Sequence, residues 1–358
     1  MNPITFGLLG TGWRADFYTR IAALAPEQFR IAAQYTRSPE KAREMAASCP
    51  FPIVSDLEAF LALPMDFVVV SVKRGNFLPL LKRLFEHNIP VLCETPPAET
   101  VEELNALWEL SKSGSAKMQV AEQYFLQPLY AAWLAAIDRG LLGEVSNINL
   151  SALHGYHSTS IIRKVLGIGF ESVTVSGQVY RFPVVNTSSR QGPDRSGTLV
   201  EAERHRVTFV FGNGKTAFHD FSGIQYHSSI RTRQLTIQGT RGEIDDLSIR
   251  YLRADNTPVV QTLERIDRGV YNNQEWAHQG MMLGEVTLYE SPLPKARLND
   301  DELAIASCLL RMGEFVSRGV DFYPLRDALQ DTYLSILMDH ALATPGPVAS
   351  QTQLWQMF

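Results

Sequence analysis

The stretch Ile4 to Tyr18, ITFGLLGTGWRADFY, constrains this chain more than any other. An apolar run of strand character, Ile4 to Leu9, passes directly into Gly10-Thr11-Gly12-Trp13-Arg14-Ala15, after which Ala15, Tyr18, Ile21 and Ala22 recur at helical spacing. The order is strand, glycine turn, helix. Gly10 allows the tight turn, Gly12 lets backbone approach a diphosphate with no Cβ in the way, and the small Ala15 lets helix and strand pack closely. A diphosphate would rest on the unsatisfied N–H groups and positive dipole end of the helix. The pattern predicts a dinucleotide site including Gly10, Thr11, Gly12, Trp13 and Arg14; the competing reading is a purely structural strand-to-helix turn. A second strand at the expected distance favours the first.

At 358 residues the chain is too long for one ordinary core, so two domains are expected, 1–121 and 122–358. A net charge of −5 without blocks of like charge argues against nucleic acid or an anionic membrane as principal partner. No apolar run approaches the ~20 residues that span a bilayer, and the first residues do not read as a secretory leader. A cytoplasmic location is the expectation. Cys49, Cys93 and Cys308 are odd in number and widely spaced, which reads as reduced thiols and neither a disulfide framework nor a metal site.

Phe29 to Tyr35 reads as the second strand, and the three residues after it bear on the choice of cofactor. An acidic residue there would accept from the ribose hydroxyls of NAD; this chain has Thr36-Arg37-Ser38. Hydroxyls and a guanidinium suit a 2′-phosphate, so NAD(P) with a lean to NADP is expected. In the plainer reading Ser38 caps the helix that opens at Pro39 and Arg37 is solvated. Asp66 to Val72 is a continuous β-branched run suited to a buried parallel strand. A helix over Phe77 to His87, a strand over Ile89 to Cys93, a helix over Val101 to Ser111 and a strand over Met118 to Ala121 continue the alternation. The expected fold class is α/β, with a doubly wound parallel sheet whose ligands gather at the carboxyl ends of its strands. Ser71, Glu94 and Thr95 occupy such ends and are cofactor-binding candidates.

GLLGTGWRADFY, Cys93-Glu94-Thr95-Pro96, and the run from Gln127-Pro128 to Gly143-Glu144-Val145 resemble the glucose-fructose oxidoreductase and inositol dehydrogenase family, Gfo/Idh/MocA, over essentially the whole chain. The resemblance implies an N-terminal Rossmann domain and a C-terminal α+β domain with a large, open, mostly antiparallel sheet. It also implies hydride transfer between a nicotinamide cofactor and a sugar, polyol or related hydroxy compound, and a homodimer or homotetramer formed through the open sheet. Two positions depart from the family pattern. Thr95 stands where members commonly carry the lysine of Glu-Lys-Pro that positions and deprotonates the substrate hydroxyl. Leu153 stands where an aspartate precedes the family histidine, here His157, by four residues. The chain between Val145 and this segment is also shorter than in typical members.

Hydride removal from an alcohol needs a base within hydrogen-bonding reach of the hydroxyl. His157 is the first candidate: imidazole titrates near working pH, and a place early in a helix through Ser160 to Leu166 favours its neutral form. Tyr156 and Lys73 are secondary catalytic candidates. A partly buried structural histidine is the alternative reading of His157. His154 and His157 lack a Cys or carboxylate at ligand spacing, so no metal is expected.

In the second domain, Ser172 to Tyr180, Arg204 to Phe211, Thr216 to Phe221, Gln234 to Gln238 and Ile249 to Arg253 read as strands separated by glycine and asparagine turns. Asn186 to Gly197 reads as a polar loop. Tyr226 and Arg231 bracket a polar cluster suited to a polyhydroxylated or anionic substrate, or to a solvated edge. Tyr124, His154 and Arg163 complete the substrate-binding candidates. Amphipathic helices over Asp301 to Ser317 and Arg326 to Leu342 are expected to cover one face of the second sheet, with Trp355 and Phe358 docking the tail. Two further functions fit the departures at Thr95 and Leu153: a dinucleotide-binding sensor without turnover, and a lyase or hydrolase that oxidises its substrate transiently.

Overall fold

The computed structural model describes residues 3–72, 77–112, 116–189, 191–269 and 276–357. The chain forms two compact units, Met1–Tyr130 with Arg265–Gly280 and Glu290–Leu329, and Ala131–Glu264 with Met281–Tyr289 and Gln330–Phe358. The division is therefore not a single cut.

In the first unit, strands β1 (Ile4–Leu9), β2 (Phe29–Tyr35), β3 (Ile53–Val54), β4 (Phe67–Val70), β5 (Val91–Cys93) and β6 (Met118–Val120) form a six-stranded sheet in the order β3-β2-β1-β4-β5-β6. Every pair in it is parallel. Helices α1 (Trp13–Leu24), α2 (Pro39–Ala46), α3 (Leu57–Leu61), α4 (Phe77–Glu86) and α5 (Val101–Ser111) connect the strands. Burial on both faces explains the uninterrupted Phe67-Val68-Val69-Val70 of β4, all buried. Ala15, Tyr18 and Ile21, spaced to share one face, are the buried residues of α1. Local chemistry fixes the helix starts: Ser38 accepts from the Lys41 N–H ahead of α2, and Thr100 from the Glu103 N–H ahead of α5.

The rest of the chain carries α6 (Pro128–Asp138), β7 (Val145–Ser151), α7 (Gly155–Leu166), β8 (Val173–Val185), the short hairpin of β9 (Ser188–Ser189) and β10 (Gly192–Pro193), β11 (Leu199–Phe211), β12 (Thr216–Phe221), β13 (Gln234–Gly239), β14 (Gly242–Asp245), β15 (Ser248–Leu252), β16 (Pro258–Arg268), β17 (Ala277–Leu283), β18 (Val286–Glu290), α8 (Asp300–Arg318), α9 (Leu325–Ala343) and β19 (Val348–Ala349). Eleven of these strands make one mostly antiparallel sheet in the order β18-β17-β16-β15-β14-β13-β7-β12-β11-β8-β19. In the second unit Ile148, Leu150, Ala217, Phe221, Leu235 and Ile237 form its buried face. The other face is open, with Tyr180 and Phe218 exposed and Asp220 paired to Arg204 and Arg206. The polar loop read over Asn186 to Gly197 holds the β9–β10 hairpin; its Arg190 lies outside the described residues.

The expected place of the first late helix is corrected. Helix α8 belongs to the first unit, where Arg20 pairs with Glu302 and a Cβ on Gly313 would lie 2.7 Å from Ile4 Cδ1. Its amphipathic pattern marked a buried face without saying which sheet it meets. Trp355 docks as expected, fully buried with its indole N–H donating to Gln330 Oε1 at 3.0 Å, while Phe358 lies outside the described residues.

Arg163 was a substrate-binding candidate, and its surroundings correct that reading. It is 6% exposed; Nη1 donates to Asp331 Oδ1 at 3.0 Å, and Nε and Nη2 donate to the Gly169 carbonyl at 3.2 and 2.9 Å. A guanidinium so engaged ties α7 to α9 within the second unit. Asp331→Ala is expected to cost roughly 3–5 kcal/mol, because it leaves a buried cation uncompensated. Equilibrium urea unfolding of the variant measures this, and an unchanged midpoint would refute the structural role.

Candidate functional site

At the carboxyl edge of the parallel sheet, the turn from β1 to α1 is clamped between the ends of its two neighbours. The Gly10 N–H donates to the Tyr35 carbonyl at 3.3 Å, Gln34 Nε2 donates to the Gly10 carbonyl at 2.7 Å, and the Ser71 N–H donates to the Leu9 carbonyl at 2.8 Å. Gly10 has φ +120, and a Cβ on it would sit 2.0 Å from the Ser71 carbonyl oxygen. Only glycine fits there. Gly12 differs: it is the N-cap of α1 with φ −89 and ψ 175, no side chain caps the helix, and a Cβ on it would meet nothing within 4 Å. Its open side adjoins a cavity of about 610 Å³ lined by Gly10, Thr11 and Gly12, by Thr36, Arg37 and Ser38, and by Ser71.

These seven residues were expected at a cofactor site from the sequence, and they line one cavity. A glycine-floored hollow at an uncapped helix N-terminus fits a dinucleotide diphosphate. Sequence reasoning passed over Lys41, Arg83 and an apolar wall of Leu57, Pro79 and Leu80, which line it too. Lys41 Nζ reaches the Thr11 carbonyl at 3.5 Å, and Arg83 pairs with Glu58 and Glu86. Position in α2, one turn beyond Arg37, was the available signal for Lys41. Ser38 serves the plainer reading as well, since its hydroxyl caps α2.

Trp13, Arg14, Glu94 and Thr95 stand apart from the cavity lining. Arg14 Nε lies 3.6 Å from Glu94 Oε2, its guanidinium is stacked over Trp13 and Phe17, and Glu94 also accepts from the Tyr18 hydroxyl. Burial pulls the Arg14 pKa down, but Glu94, followed by smaller contributions from Tyr18, Asp301 and Tyr124, more than offsets this, so the guanidinium stays charged. The Thr95 N–H donates to Glu94 Oε2 at 3.3 Å. Tyr124 is buried and packs edge-on against Tyr130.

In the second unit a chain of rings forms around the start of α7. His154 is the helix N-cap, and its ring is edge-on to His157 at 5.3 Å and to Tyr226 at 5.5 Å. Tyr156 lies edge-on to His157 at 5.7 Å. His154 Nδ1 is 2.6 Å from Tyr226 Oη, which also accepts the His154 backbone N–H at 3.2 Å. His154 is exposed as a residue, yet partial burial of its ring, and after it the neighbouring His157, lowers its pKa to about 4. The ring is therefore neutral at pH 7. His157 is 7% exposed in the first turn of α7. Arg231 does not join the cluster: it is exposed and donates to the Ile230 carbonyl at 2.9 Å, while Arg233, which the sequence reading missed, lies over the Tyr226 ring at 4.9 Å. Lys73 falls outside the described residues. Among the described residues no group of three or more His, Cys, Asp or Glu is arranged to hold a metal ion.

The pattern of an oxidoreductase family with an NAD-binding Rossmann fold matches residues 4–122. Over those residues the chain is similar to the Gfo/Idh/MocA family. Inositol 2-dehydrogenase 1 of Mycolicibacterium vanbaalenii is 30% identical over 166 residues, 45% of this chain and 47% of that protein. D-xylose 1-dehydrogenase [NADP(+)] of Haloarcula marismortui is 24% identical over 150 residues, 40% of this chain and 41% of that protein. The chain thus matches somewhat under half the length of these curated relatives. A solved levoglucosan dehydrogenase, in complex with NADH and levoglucosan, aligns with TM-score 0.69 over 98% of this chain and 100% of its own, at 16% identity; that likeness is one of fold.

The two glycines predict different outcomes. Gly12→Ala is expected to change stability by no more than about 1 kcal/mol, since its backbone suits alanine while alanine is a poorer helix N-cap than glycine. NADH affinity is expected to fall by about tenfold or more, because the methyl enters the diphosphate's space. Thermal unfolding and a fluorescence titration with NADH measure the two, and undiminished affinity would remove the diphosphate from this turn.

Proposed function

We propose that this protein is an NAD(P)-dependent oxidoreductase that transfers a hydride between the nicotinamide and a sugar, polyol or related hydroxy compound. The observation that carries this reading is the glycine-floored cavity at the carboxyl edge of the parallel sheet. Gly10, Thr11 and Gly12 hold the diphosphate against the start of α1. The apolar wall of Leu57, Pro79 and Leu80 suits a purine face. Arg37, joined by Lys41 and the hydroxyls of Thr36 and Ser38, suits a 2′-phosphate, which supports NADP over NAD. Glu94, oriented by Tyr18, Arg14 and the Thr95 N–H, lies at the end of β5, on the half of the sheet beyond the switch point between β1 and β4.

When bound, the nicotinamide supplies the hydride acceptor or donor. The chain supplies the proton chemistry, and His157 is the group assigned to take the proton of the substrate hydroxyl, with Tyr156 beside it. His154 and Tyr226 orient the substrate. The relatives' printed names, inositol and D-xylose dehydrogenases, support a polyol or sugar as substrate class. The open face of the second sheet, with Tyr180 and Phe218 exposed, supports a homodimer or homotetramer formed through it. One observation favours a second reading, a sensor that binds the dinucleotide without turnover: threonine at position 95 stays neutral where the family commonly carries a lysine.

Nicotinamide absorbance with a panel of inositols, pentoses and hexoses tests the assignment. Net reduction of the cofactor by a panel member is expected, whereas saturable binding without turnover would favour the sensor. For the substrate so found, His157→Ala is expected to lower kcat by about a hundredfold or more while NADH affinity stays within about twofold. Unchanged turnover would dismiss His157 as the base. Arg37→Ala is expected to weaken NADPH by about tenfold or more and NADH far less. Equal losses in parallel titrations would end the 2′-phosphate assignment.

A further inference from the structure

We infer that Glu58 sets the preference between the two nicotinamide nucleotides: by pairing with Arg83 it withholds one of the cavity's cations from a 2′-phosphate and so keeps the unphosphorylated cofactor competitive. Glu58 is thus a specificity-determining residue that acts through Arg83. The inference rests on the reading of the cavity as a dinucleotide site.

Arg37, Lys41 and Arg83 all line the cavity of about 610 Å³. The first two belong to the segment that follows β2. Arg83 comes from the last turn of α4 and reaches the same cavity with its charge already engaged. Its Nη2 pairs with Glu58 Oε1, and its Nη1 lies 3.3 Å from Glu86 Oε2. Glu86 is a neighbour one turn along the same helix. Glu58 comes from another element, the first turn of α3, where it follows Leu57 of the cavity wall. Its pairing with Arg83 therefore joins α3 to α4 beside the apolar side of the cavity. The second oxygen of Glu58 lies 3.6 Å from His87 Nε2, and His87 Nδ1 lies 2.9 Å from the Arg83 carbonyl oxygen.

Arg83, Glu58 and Glu86 are exposed, and an ion pair between exposed partners is weak enough to exchange. A 2′-phosphate, with more negative charge and more acceptor oxygens than a carboxylate, is the stronger partner for a guanidinium. Turning Arg83 towards it costs the Glu58 contact and leaves that carboxylate near a like charge. The ribose hydroxyl of NAD makes no such demand, and Arg83 stays with its carboxylates. The competition falls on NADP alone, so Glu58 narrows the preference that Arg37, Lys41 and the hydroxyls of Thr36 and Ser38 create.

Titrations of the full chain with NADPH and with NADH test this in the wild type, Glu58→Gln, Arg83→Gln and the double variant. They are made at about 0.15 M salt, where exposed charges more than about 8 Å apart are largely screened. Glu58→Gln is expected to tighten NADPH about three- to fivefold and to change NADH by less than about twofold. Arg83→Gln is expected to weaken NADPH about twofold or more, and in its background the gain from Glu58→Gln is expected to fall below about twofold. Unchanged NADPH affinity in a folded Glu58→Gln, an equal gain for NADH, or a gain of full size without Arg83 would overturn the inference. Should Glu58→Gln fail to melt cooperatively, Arg83→Gln decides, undiminished NADPH affinity in it overturning the inference. A wild type that saturates with neither nucleotide would overturn the dinucleotide reading as well, whereas the other failures, with a saturating wild type, strike this inference alone.

Discussion

The carbonyl oxygen of Ser71 approaches Gly10 so closely that no side chain can stand at position 10. That contact joins the end of β4 to the turn after β1, at the point where the sheet order reverses between β1 and β4. The turn leads into α1 with Gly12 as a bare cap, and the cavity opens at that end. Much of the first unit serves this arrangement. The buried Gln34 bonds the Gly10 carbonyl, and Ala15, Tyr18 and Ile21 seat α1 on the sheet. A fold that brings two strand ends to a shared glycine creates its anion site from backbone, before any charged side chain is considered.

Charge enters in a second layer. Arg37 and Lys41, which follow β2, line the cavity, as does Arg83, itself paired with Glu58 and Glu86, whereas Arg14 is drawn to Glu94 at the end of β5. The same short turn therefore separates a region rich in positive charge from one where cation and carboxylate largely neutralise each other. The first suits phosphate.

Residue periodicity carried most of the fold. The Val-rich run of β4, the spacing of Ala15, Tyr18 and Ile21, and the span of α5 over Val101–Ser111 follow from local pattern because burial on a strand or helix face repeats locally. The fate of α8 was not legible. An amphipathic stripe states that a face is covered and not by what, and Gly313 against Ile4 is a contact between distant parts of the chain. The candidate site divided along the same line. Gly10 to Gly12, Thr36 to Ser38 and Ser71 sit on segments whose geometry the strand-turn-helix pattern dictates. Arg163, a turn and a half beyond His157, is a substrate-binding candidate by position in sequence, and its meeting with Asp331 shows a buried structural pair. Arg233 gave no signal of its own, since stacking on Tyr226 depends on how the turn before β13 folds.

The proposed function depends on a diphosphate held between the first strand and its helix. Calorimetric titration of the wild-type chain with NADH and with NADPH tests this most directly. One saturable site per chain for at least one of them, abolished or strongly weakened by Gly12→Ala in a protein that still melts cooperatively, is the predicted result. A folded wild type that releases no heat and shows no saturation with either nucleotide would contradict it.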